Sequence, residues 1–105
     1  MNTASNGVAG YKVSAVATAK AAIRRIHGEM MQGGEGAAFL ANLRRIYDRL
    51  RKAPREFGEP LYHMPALKLL VYQGIIAPLV VTYGVHEELP LVLIRVVKLL
   101  SDPVK

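Results

Sequence analysis

The side chains of this chain able to act on a phosphate, a base or a proton gather in its second half. Tyr62, His63, Lys68, Tyr72, Tyr83, His86, Arg95 and Lys98 fall in a stretch dominated by Leu, Val and Ile. Lysine and arginine can hold a phosphate and stabilise charge developing on it; tyrosine and histidine can stack on a base or move a proton. Arg95 is the most suggestive, because it interrupts an apolar strand pattern where an unpaired charge would be costly. Its alternative is an ion pair with a loop acid or an edge-facing position. Lys68 and Lys98 read either as phosphate ligands or as lysines guarding strand edges against aggregation. Tyr62, Tyr72 and Tyr83 read either as chemistry or as core packing with a satisfied hydroxyl. The candidate catalytic set is therefore Lys68, Arg95, Tyr83 and His86, with Lys98 as a further nucleic-acid contact.

Other chemistries find less to work with. His27, His63 and His86 have no metal-ligand spacing such as HExxH, so neither a metal nor another cofactor is expected. The Glu56/Glu59 and Glu87/Glu88 pairs sit at chain reversals, where acids are commonly solvated. The serines at 5, 14 and 101 lie in the tail, the first strand and the terminus, away from any Ser-His-Asp arrangement. Gly33–Gly34 lacks the spacing and the following Lys-Ser/Thr of a phosphate-cradling loop. The chain has no cysteine, which excludes a disulfide frame, a thiolate nucleophile and a thiolate metal site.

Charge is uneven. Between Lys20 and Arg55 lie nine basic residues against three acidic ones, which accounts for the whole net charge of +6. The excess includes Arg44, Arg45 and Arg49, which become candidate nucleic-acid contacts on a helix surface. Their alternative is a plain solvated helix face.

The elements that must position these residues follow from periodicity. Residues 1–10 are small and polar and read as a disordered tail, with one domain over 11–105. Residues 11–16 alternate weakly, as a short first strand. Thr18 is a plausible N-cap for a helix whose stripe is Ala19, Ala22, Ile23, Ile26 and Met30. Gly33–Gly34 stops it, and a second helix starts near Glu35 with the stripe Phe39, Leu40, Leu43, Ile46, Tyr47 and Leu50. Ala53–Pro54 ends that helix. Residues 55–65 read as a loop. Three strands follow, at 67–72, Leu79–His86 and Leu91–Leu99, with a turn in 73–78 and a polar tail after Leu100. Residues 65–85 are apolar enough to raise a membrane span, but Lys68, Gln73, Gly74, Pro78 and the β-branched content favour a sheet. The amino end lacks a basic start followed by a long apolar core, so a cytoplasmic location is expected. The predicted fold is α+β: a two-helix hairpin on a mostly antiparallel four-stranded sheet, in the order β-α-α-β-β-β. The sheet face left bare by the helices is expected to be too apolar to stay wet.

The run FLANLRRIYDRLRKAPREFGEPLY, the strand ending APLVVTYGVHEE and the last strand LVLIRVVKLL, in that element order, resemble the RelE/ParE superfamily of type II toxin–antitoxin toxins. The likeness covers about residues 11–100. It implies a small growth-inhibiting toxin, held inactive by an antitoxin that wraps it. RelE-like members cleave mRNA in the ribosomal A site, using basic residues and a tyrosine on the open sheet face; ParE-like members poison DNA gyrase. Lys68 matches the lysine usual in strand two, while Arg95 and Lys98 offer charge in the last strand. Val80 stands where the ribonucleases carry arginine, and Leu99 where a basic residue is common. Three activity classes therefore stay open: an mRNA endonuclease, a gyrase inhibitor, and a catalytically inert basic domain binding nucleic acid or protein. An antitoxin or a second copy of the chain is expected to cover the bare face.

Overall fold

The structure is a computed structural model and describes residues 10–100; the expected tails at 1–9 and 101–105 lie outside the described residues. Nine elements follow in order: β1 (Lys12–Ala15), α1 (Ala17–Gln32), α2 (Gly36–Lys52), α3 (Pro54–Phe57), β2 (Glu59–Met64), a 3-10 turn (Pro65–Leu67), β3 (Leu69–Ile76), β4 (Leu79–His86) and β5 (Leu91–Leu99). The strands make one sheet in the order β1-β5-β4-β3-β2. β1 runs parallel to β5, and every other neighbour is antiparallel.

The α+β class is as the patterning predicts, and the strand count differs. β2 is a fifth strand where a loop is expected, and α3 is an added helical turn begun by Pro54, which supplies the fixed φ suited to a first helical position. Three boundaries also move. α1 opens at Ala17 with Val16 as its N-cap, so Thr18 is already helical and caps nothing. Lys68 lies outside β3, in a left-handed conformation (φ 55°) closing the 3-10 turn. β3 runs on through Gln73 to Ile76, and the turn is only Ala77–Pro78, joined by a cis peptide. Gly74, which reads as part of a turn, instead makes room within the strand: a Cβ there would collide with the Phe57 ring.

One face of the sheet carries the helices. Tyr72, Leu79, Val81, Tyr83, Val85, Val92, Ile94 and Val97 meet Ala19 and Ile26 of α1 and Phe39, Ile46 and Leu50 of α2 in a single buried cluster. α1 packs on β5, and α2 on β1 and β3. Leu40, expected in the α2 stripe, is 39% exposed. After the α1 C-cap at Gly33, Gly34 takes φ +81°, a conformation that costs glycine nothing. Among the described residues no helix is long and apolar enough to cross a membrane.

Candidate functional site

Strand pairing defines the helix-free face residue by residue. Met64, Leu69 and His86 form one row; Tyr62, Val71, Gly84, Leu93 and Ser14 the next; Glu59, Gln73, Thr82 and Val96 a third; Ile75, Val80 and Lys98 a fourth. Lys12, paired with Leu91, shares this face. Arg95 owes its place to a β-bulge. Thr82 pairs with Val96 and Tyr83 with Ile94, so Arg95 is the extra residue, and a bulge re-aims the side chain it inserts. Its guanidinium reaches the Met64 sulfur, two strands beyond its neighbour β4.

That reach roofs the middle of the face. Beneath it Val71 is fully buried, although it lies on the side away from the helices, and Leu69 leans over the bare Gly84. The flanks stay open: Tyr62 is 52% exposed, Ile75 51% and Val96 45%. Toward β1, Ser14, Leu67, Leu69, His86, Leu91, Val92 and Leu93 line an apolar hollow of about 260 Å³. Thus a half-buried arginine lies amid apolar flanks, with exposed Lys12 and Lys98 beside them.

The candidate catalytic residues are not brought together. Arg95 and His86 share this face with Lys98, but Tyr83 lies on the other one. Its hydroxyl donates to the Pro54 carbonyl at 2.6 Å and accepts from the Gly58 N–H at 2.9 Å. Its ring stacks between Tyr72 and Phe57, and burial pushes its pKa up to about 12. Tyr83 is a strut tying β4 to α3, with the thickness of the sheet between it and Arg95. The alternation that made it a sheet residue gave no hint of which face the helices cover.

His86 is committed as well. Its Nδ1 accepts the N–H groups of Glu88 (3.1 Å) and Leu89 (3.0 Å), capping the β4–β5 hairpin. Lys68 meets Glu88 at 3.4 Å, and His63 meets Glu87, so two cross-links pin that hairpin to the β2–β3 end. On α3, Arg55 donates to the His86 carbonyl at 3.3 Å. Arg49 lies over the Phe57 ring at 5.1 Å, in a cation–π contact. Arg44 and Arg45 are exposed on α2, in the layer beyond the opposite face. Met64 and Ser14, which line the site, were not legible as site residues: Met64 belongs to a strand without visible alternation, and Ser14 is placed by the parallel pairing of β1 with β5.

The face can therefore bind but shows no acid–base pair. Among the described residues no group of three or more His, Cys, Asp or Glu could hold a metal ion. No protein-family model, no curated protein and no solved structure matches this chain.

Proposed function

We propose that this chain is the toxin of a type II toxin–antitoxin pair with a RelE/ParE-like fold, and that it inhibits growth by docking onto a protein target rather than by cutting mRNA. The element order and the helix hairpin over one sheet face support the fold. The observation that carries the docking mode is the division of the candidate set: the Tyr83 hydroxyl is spent between Pro54 and Gly58 on the helix side, while Arg95 lies on the far side among exposed apolar residues. A phosphodiester held by Arg95 would find the Tyr83 hydroxyl on the other face and the His86 Nδ1 already accepting the hairpin N–H groups, so neither candidate base is available to it. An apolar partner surface would find Tyr62, Ile75 and Val96 to bury, with Lys12 and Lys98 offering charge to acidic residues at its rim. Among the targets implied by the resemblance, DNA gyrase fits this mode. The antitoxin would be a small acidic protein covering the same face in the cytoplasm.

Controlled expression tests the reading. Growth should arrest, co-expression of a small acidic reading frame next to the gene should restore it, and primer extension should find no discrete mRNA cuts. Cuts that vanish in Arg95→Ala would replace docking with ribonuclease chemistry. Unimpeded growth with folded protein present would end the toxin reading altogether.

A further inference from the structure

The solvent side of the helix layer plays no part in the docking reading. Lys20, Arg24, Arg44 and Arg45 are exposed there and make no ion pair among the described residues. On these helices Glu29 lies 3.9 Å from Arg25, and Asp48 is shared between Arg51 and Lys52 at 3.2 and 3.3 Å, so neither acid pairs with these four. The positive charge of these four side chains is thus left without an ion-pair partner among the described residues. On α2, Ala41, Arg44, Arg45, Asp48 and Arg51 border a shallow hollow of about 380 Å³. The turn at 33–35 reverses the chain, so Arg24, about ten residues before it, stands level with Arg44 and Arg45, about ten after it.

We infer that this helix surface binds the phosphate backbone of a nucleic-acid duplex, with Arg44 and Arg45 as the central contacts and Lys20 and Arg24 flanking them. Charge complementarity selects a polyanion. The aromatics select a duplex over unpaired strands: Phe39 is fully buried, His27 is half-buried and stacked on it at 5.5 Å, and Tyr47 is half-buried. No aromatic of the helix layer is left exposed as a platform for bases, which single-strand binders use. The inference stands apart from growth inhibition, since it concerns the opposite side of the molecule.

Fluorescence anisotropy of the full chain with a short labelled DNA duplex tests it, titrated from about 50 to about 200 mM salt. Four phosphate contacts predict a log–log salt slope of about −3.6, at about 0.9 per contact. Arg44→Ala/Arg45→Ala should bring the slope to about −1.8 and weaken binding about tenfold or more at the lower salt. Arg44→Lys/Arg45→Lys should keep both near the original values, because the charge is conserved. If the alanine pair fails to fold by circular dichroism, Lys20→Ala/Arg24→Ala should flatten the slope by the same amount. Absence of duplex binding at low salt would overturn the inference, as would an unchanged slope in a folded variant. Tighter binding of a single strand of the same length, or displacement of the duplex by poly-glutamate at equal charge, would overturn it too.

Discussion

Tyr83 shows how one side chain can look chemical and be structural. Its hydroxyl satisfies a carbonyl on one side and an N–H on the other, both from the segment that leads out of α2. Tyr83→Phe would leave Pro54 O and Gly58 N–H without a partner and should cost about 1–3 kcal/mol in urea unfolding. Growth arrest should persist in cells at temperatures where the variant stays folded; loss of arrest with the fold intact would return Tyr83 to the chemistry. The same hydroxyl predicts a pH dependence. Its pKa rises from 10.0 to about 12 because burial disfavours the phenolate. The folded state therefore holds the proton more tightly than the unfolded chain. Stability from this group is complete below the unfolded value and is lost between about pH 10 and about pH 12, at about 1.4 kcal/mol per pH unit. Tyr83→Phe should lack that alkaline decline, which chemical denaturation at stepped pH would reveal.

Among elements, the seat of α3 is the most sensitive to a single atom. Phe57 stacks on Tyr83 at 6.0 Å beneath Arg49, and its ring occupies the space a Gly74 side chain would need. Gly74→Ala must push that ring aside and should lose about 1–3 kcal/mol. Gly28→Ala makes the contrast, since nothing lies within 4 Å of a Cβ there on α1. It should gain about 0.5–1 kcal/mol from helix propensity alone, and thermal melts of the two variants should move in opposite directions. The long strands were legible because β-branched runs bounded by Gly, Pro and acids have few other uses. β2 was hidden: Glu59, Pro60, Leu61, Tyr62 and His63 are all exposed, and a register shift between Pro60 and Tyr62 breaks the alternation. An edge strand with one bulge leaves no period to read. The Arg95 bulge was equally silent, since its register depends on where β4 pairs. The helix stripes were legible except at Leu40, which stays 39% exposed beside the buried Phe39.

For the whole molecule, the two faces of one sheet are settled differently. The helix side closes into a full core. On the other side the described residues cover part of the face, with Arg95 stretched to Met64 and Val71 and Val80 buried, and leave Tyr62, Ile75 and Val96 exposed. A partly roofed apolar face of this kind favours association, because removing its flanks from water is worth about 25 cal/mol per Å² buried. In the absence of an antitoxin the isolated protein should therefore self-associate at high concentration and bind an apolar dye. Ile75→Asp and Val96→Asp place a charge at exposed flanking positions, 51% and 45% accessible, where the fold itself asks little of the side chain. Each should abolish association and dye binding while changing stability by no more than about 0.5 kcal/mol. Each should also release growth inhibition, whereas Arg44→Ala/Arg45→Ala on the opposite layer should not. Size-exclusion chromatography with dye fluorescence measures the first effect and a plating assay the second. A wild-type protein that stays monomeric and dye-free at high concentration would mean that the Arg95–Met64 cover suffices, and the face would then lose its claim to a partner.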